Sequence, residues 1–143
     1  MKFTFFVDNS REEEVIVYAR ERNELVNRIE DLVTEKSREI AGFSDGTAEI
    51  LDTDSVFCFI VENGRVFALT EKEKYRIRER LYTLEEKLGS NFIKINQSCI
   101  ANISKIKCFE YSPYGSLTVV LKNGTRDYIS RRNIKKVKER FGI

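Results

Sequence analysis

Three cysteines (Cys58, Cys99 and Cys108), an Asp52-Thr53-Asp54 pair of acids and a complete absence of histidine define what covalent or metal chemistry this chain could attempt. Without His there is no imidazole ligand, no Ser-His or Cys-His pair, and the commonest general base is missing. The thiols make no CxxC and have no His to complete a zinc site, so they read as small residues of a β-rich core. Asp52-Thr53-Asp54 lacks the Gly and the terminal Glu of a calcium loop. No Gly-rich phosphate loop is present either. The residue types leave carboxylate-only or Lys catalysis open but mark neither, so no enzyme is expected, and no metal, cofactor or small-molecule substrate.

Charge is the chemistry that remains. The chain has 143 residues with a net charge of only +2, but the charge is unevenly spread. Residues 1–70 hold 8 Lys and Arg against 15 Asp and Glu, while residues 71–143 hold 17 against 8. From Ser90 onward there are 11 bases and 3 acids, Glu110, Asp127 and Glu139. Such a half attracts a polyanion, of which nucleic acid is the usual one. The competing reading is a solvated face balanced by the acidic half.

The elements that must position these charges follow from periodicity. Phe3-Phe5-Val7 and Glu14–Ala19 read as strands around an acidic turn, and Leu25, Ile29, Leu32 and Val33 recur at helical spacing within Glu21–Lys36. Residues 1–40 thus form a small α+β (ββα) leader, too small to bury much core alone. Ala41–Gly46 reads as a turn, where the character changes and a second unit, residues 41–143, begins. Val56–Val61 is apolar on both faces and Asn63-Gly64 turns it into Arg65–Leu69. Tyr75 to Leu88 fits a short helix ended by Gly89.

Phe92–Asn96 alternates, with Ile93 and Ile95 on one face and Phe92, Lys94 and Asn96 on the other. Ile106–Tyr111, Leu117–Leu121 and Thr125–Ile129 are further strands, joined by Pro113-Tyr114-Gly115 and Asn123-Gly124. Arg131–Phe141 closes the chain as a helix with Ile134, Val137 and Phe141 on one stripe and Lys135, Lys136, Lys138 and Arg140 off it. The second unit is mainly β with short helices. No run of apolar residues approaches a membrane span, and the acidic start lacks a signal peptide, so the protein is expected in the cytoplasm.

One segment is more informative than composition. Asn91–Ile106, NFIKINQSCIANISKI, runs aromatic-hydrophobic-basic-hydrophobic-polar into Ser, then through a short apolar stretch to Asn and Ile. It resembles the signature of the LytTR family of bacterial response-regulator DNA-binding domains. The VFCFIVENGRVFAL hairpin and LYTLEEKL upstream, and the Asn-Gly turn and ISRRNIKKVKERF downstream, keep the same order, from about Gly42 to Gly142.

The resemblance implies an elongated β fold that reads direct repeats in the DNA major groove with loop and strand-end side chains, usually as dimers. Arg and Lys suit guanine, Asn and Gln adenine, and Ser, Lys and backbone amides the phosphates. By position, it assigns DNA binding to Lys94, Asn96, Gln97 and Ser98, to Arg131, Arg132 and Asn133, and to Arg65 past the first hairpin. Lys105, Lys135 and Lys136 are the candidates for phosphate contact. The implied partners are double-stranded DNA, a second copy as homodimer, and a membrane-protein regulator.

The sequence departs from the family pattern where Lys94 replaces Arg, Asn96 replaces His and Cys99 replaces an aromatic residue. Lys offers a point charge where Arg offers a planar fork. Those changes leave open a protein-interaction module that keeps the fold without specific DNA reading. Tyr111, Tyr114 and Tyr128 leave open an RNA-binding β module, although turns and hairpins more often simply pack such residues. Asn102 reads as structural, satisfying a turn. Residues 1–40 are too few for a receiver domain and are expected to serve dimerisation or partner binding.

Overall fold

A computed structural model describes residues 2–34, 36 and 38–143. Two-residue hairpins organise it. Strands β1 (Glu39–Ser44) and β2 (Thr47–Asp52) are joined by Asp45-Gly46, and β3 (Cys58–Glu62) and β4 (Arg65–Leu69) by Asn63-Gly64. All four turn residues have positive φ, from 45° at Asp45 to 75° at Gly46. That matches the primed turns whose twist suits paired strands, and it explains why Asp-Gly and Asn-Gly stand there.

After β4 come β5 (Lys74–Ile77), helix α2 (Leu81–Lys87), β6 (Phe92–Asn96), β7 (Cys99–Asn102), β8 (Ile106–Tyr111), β9 (Leu117–Leu121), β10 (Arg126–Ile129) and helix α3 (Arg131–Phe141). They make a seven-stranded antiparallel sheet, β2-β1-β5-β4-β3-β7-β6, and a three-stranded one, β10-β9-β8. One core lies between the large sheet and α2, with Phe59, Leu84, Val56 and Ile100 at its centre. The other joins the opposite face to the small sheet and α3 through Ile95, Leu117, Val119, Leu121 and Val137. β3 is covered on both sides, as its unbroken apolar run requires. The stripe of Ile134, Val137 and Phe141 docks α3 on the second core, with Phe141 edge-on to Phe109 at 4.9 Å.

Several elements depart from the sequence expectations. Tyr75–Leu88 is not one helix. Tyr75 and Ile77 alternate into the core as β5, and only Leu81, Leu84 and Leu88 follow helical spacing. β1 and β2 flank what reads in sequence only as a turn, because most of β2 is exposed and β1 contains Gly42. Gly42 is required by close approach, since a Cβ there would sit 2.6 Å from Leu51 Cδ1 and 2.8 Å from Tyr75 Cβ. β7 has no alternation to read because all four residues are buried.

The largest departure is at the front. The strands expected at Phe3–Val7 and Glu14–Ala19 do not form, and residues 2–19 hold no helix or strand, only a turn at which Asp8 accepts from Ser10 N at 3.0 Å. A two-stranded hairpin is marginal without a third strand or a covering face. Only the helix of the expected leader is present, α1 (Glu24–Val33), capped by Asn23, whose side chain accepts from Val26 N at 3.0 Å. Met1, Glu35 and Ser37, which belong to that expected unit, lie outside the described residues.

α1 is latched to the body by polar groups. Asp31 accepts from Ser90 N at 2.9 Å and Ser90 Oγ at 3.2 Å, and Lys36 Nζ donates to Glu86 O at 2.8 Å. A Cβ on Gly89 would lie 2.7 Å from Asp31 Oδ2, so glycine is what lets the carboxylate in.

Candidate nucleic-acid interface

Three segments meet at one end of the large sheet. Gln97 and Ser98 form the turn between β6 and β7, and both are exposed. Ser98 O accepts from Val61 N at 2.9 Å, which sets this turn beside the Glu62–Arg65 hairpin end, where Arg65 is exposed. On the other side Ser130 N donates to Ile95 O at 2.9 Å, tying the start of α3 to the end of β6. Arg131 and Arg132 in the first turn of α3 are exposed and, among the described residues, have no ion-pair partner.

Asn96 is the hub of this arrangement, and not a surface residue as alternation along Phe92–Asn96 predicts. Only 1% of it is exposed. The β6–β7 register shifts between Lys94 and Asn96, so Ile95 and Asn96 both turn inward. Such a bulge re-aims side chains beside the element it interrupts. Asn96 Nδ2 donates to Asp127 Oδ1 at 3.0 Å and to Tyr128 O at 2.9 Å, while its Oδ1 accepts from Ser98 N at 2.8 Å. Asp127 Oδ1 also accepts from Tyr128 N at 2.8 Å. The amide thereby locks the Gln97-Ser98 turn to the end of β10. Burial is affordable for an amide only when its hydrogen bonds are made, and here both ends of the group are satisfied.

Asp127 did not stand out in the sequence as a site residue. Its signal was its rarity, as one of the three acids after Ser90.

The other predicted positions divide clearly. Lys94 points to the α2 side, half-buried, with Nζ 3.5 Å from Glu85 Oε2. Asn133 is half-buried, and its Nδ2 donates to Ser130 Oγ at 3.0 Å, bracing the first turn of α3. Lys135 and Lys136 are exposed on the outer side of α3, Lys135 4.0 Å from Glu139. Lys105 is apart from the cluster. It follows the far end of β7, its Nζ 5.2 Å from the centre of the Phe57 ring, and beside it Lys122 Nζ donates to Ser104 O at 2.9 Å.

Asn102 is the counterpart of Asn96 at that far end. It donates to Val56 O at 2.8 Å and Asp54 O at 3.3 Å, and accepts from Asn91 Nδ2 and Ser104 Oγ, each at 2.8 Å. The structural role read from the sequence fits this geometry.

Cys58 and Cys99 are buried in the second core, while Cys108 is exposed on β8 and so is not the core residue its composition suggested. A hydrogen bond with the Cys58 thiol, followed by burial, pushes Cys99 far up, which leaves it a neutral thiol. Tyr111, Tyr114 and Tyr128 are exposed and do not pack into their turns and hairpins as expected; Lys138 lies 5.7 Å above the Tyr111 ring. Among the described residues, no cluster of His, Cys, Asp or Glu could hold a metal, and no helix is long and apolar enough to cross a membrane.

This surface presents exposed amide, hydroxyl and guanidinium groups from three turns on a rigid β frame. The LytTr DNA-binding domain family matches residues 47–142, two thirds of the chain. The chain belongs to the LytTr DNA-binding domain family. The matched region contains every strand of the body except β1, together with α2 and α3. Its role is DNA binding without enzymatic chemistry.

Relatives extend the similarity over the whole length. An uncharacterized HTH-type transcriptional regulator of Staphylococcus aureus strain NCTC 8325 is 33% identical over 148 aligned residues, spanning 100% of this chain and 99% of the relative. Its counterpart in strain COL aligns to the same extent. A solved LytTr DNA-binding domain from Bacillus cereus superposes with a TM-score of 0.70 at 16% identity, covering 75% of this chain and 99% of that one. It shares the fold. The helix-turn-helix in the relatives' names has no counterpart among the described residues, where strands separate each helix from the next.

Proposed function

We propose that this LytTr protein is a sequence-specific transcriptional regulator that reads double-stranded DNA through turns, with no recognition helix in the groove. The observation that carries the reading is the convergence of the Gln97-Ser98 turn, Arg65 and the Arg131-Arg132 start of α3, joined through buried Asn96. Gln97 and the arginines are the readers of base edges, by bidentate bonding to adenine and guanine. Ser98, Lys135 and Lys136 hold phosphates, and Asn96 with Asp127 keeps the readers in register. Lys105 and Lys94 stand outside this group. The naming of full-length relatives as transcriptional regulators agrees with it.

Two copies on a direct repeat, each reaching a major groove on one side of the duplex, complete the proposal. Binding-site selection from a random duplex pool tests it. Enrichment of a two-part direct repeat is expected, with affinity falling steeply as salt rises because each neutralised phosphate releases counterion. Salt-sensitive background binding with no enriched sequence would overturn sequence-specific reading.

A further inference from the structure

The front of the molecule is built as if something were still to cover it. Phe3 is 89% exposed and Tyr18 91%, and Phe5, Phe6, Val7, Val15 and Ile16 are exposed with them. Among the described residues 2–20, the only hydrogen bonds are the two that Asp8 accepts from Ser10. α1 also leaves apolar residues open. It turns Asp31 toward the body and leaves Leu25, Leu32 and Val33 of its apolar stripe exposed. Large apolar side chains left exposed in such numbers mark an interaction surface.

The charge pattern of residues 11–21 identifies the occupant as a second copy. Lay this segment antiparallel against itself with Ile16 on the two-fold axis. Val15 then faces Val17 of the other copy, Glu12 faces Arg20, and Arg11 faces Glu21. Both oppositely charged pairs occur twice by symmetry, and directly opposed unlike charges stabilise a strand pair. A slip of one residue in one direction sets Arg11 against Arg20, and in the other against Arg22. Like charges opposite one another are unfavourable, so both one-residue slips are disfavoured, and a two-residue slip toward Val17 sets Glu13 against Glu21.

We propose that residues 11–21 of two copies pair antiparallel about Ile16, and that this pairing, flanked by Phe3–Val7 and the outward stripe of α1, is the dimer interface. A standard specific interface buries on the order of 800 Å² per partner, and aromatic side chains such as Phe3, Phe5, Phe6 and Tyr18 bury about 150–250 Å² each when covered. The pairing gives residues 11–21 the partner strand that they lack within one copy. The inference rests on the reading that two copies share one operator.

Sedimentation of the full-length chain without DNA tests it, together with three variants. Wild type is expected to be dimeric at micromolar concentration. Arg20→Glu and Glu12→Arg should each weaken dimerisation at least tenfold, and the double variant should restore it. In a Cys108→Ser background, Ile16→Cys should oxidise to a covalent dimer. A monomeric wild type, or a double variant no better than the singles, overturns the interface. Binding-site selection with Arg20→Glu separates the two proposals. A half-site should still be enriched, whereas a stable dimer that selects no sequence would sink the DNA reading and leave the interface standing.

Discussion

The leader and the β body contain equally well-patterned apolar stretches, yet their fates are opposite. Phe3–Val7 alternates and is exposed, while Phe57–Phe59 is buried among strands on both sides. The difference is the number of surfaces available. β3 has strands at both edges and a core on each face, whereas the leader has only its own second half to pair with. Alternation makes a segment competent to be a strand, and neighbours determine whether it becomes one.

The sharpest way to test that contrast is to truncate one phenylalanine from each region. Phe59→Ala should cost about 3–5 kcal/mol in urea unfolding, because the side chain is wholly buried. Phe6→Ala should stay within about 0.5 kcal/mol in dilute monomer, as expected for an exposed position. Comparable losses at the two sites would mean that the leader belongs to the body's cooperative unit.

Within the body, the two buried asparagines should separate stability from reading. Asn102→Ala removes a buried amide and leaves the buried Val56 carbonyl without it, and should cost about 2–3 kcal/mol. Asn96→Ala should cost about 1–2 kcal/mol, and its operator affinity should fall much as in Asp127→Ala. The double variant should be little worse than either single one, since both act through one hydrogen-bonded unit. Additive losses in a binding assay would place Asp127 outside that unit.

At the boundary between the regions, Gly89→Ala would force a Cβ against the Asp31 carboxylate. Hydrogen exchange in α1 should accelerate while β3 stays protected. Equal acceleration in both would show that α1 is not a separately opening element.

The smallest effect concerns pH. The Tyr75 hydroxyl is held far above its ordinary range by its hydrogen bond to Glu49, then by burial and Glu73. Unfolded tyrosine ionises near pH 10, so the folded state contributes stability below that value and loses it as pH rises further. Tyr75→Phe should flatten the alkaline decline, and an unchanged decline would assign it to another group.

Much of the body was legible in the chain. Asn63-Gly64 announced the β3–β4 hairpin, and the stripe of Ile134, Val137 and Phe141 marked α3 from Arg131 to Phe141. These are local signals, carried by positive-φ turn chemistry and helical spacing. β7 escaped because a strand buried throughout shows no alternation, and β5 because Tyr75 with Arg78 and Leu81 also fits the start of a helical pattern. Part of the candidate surface was legible too: Gln97, Ser98, Arg65, Arg131 and Arg132 are exposed at segments that the fold brings together. The inward turn of Asn96 was not, because a one-residue bulge reverses the face of every side chain beyond it.

Residue types alone determined that histidine chemistry is absent, where the charge lies and which short turns close the hairpins. Those properties belong to single residues or near neighbours. Tertiary structure alone decided that Asn96 serves as a brace, that Asp127 belongs beside it, and that Lys105 stands at the far end of the sheet. Each depends on contacts between segments distant in sequence, whose free energy no local pattern records.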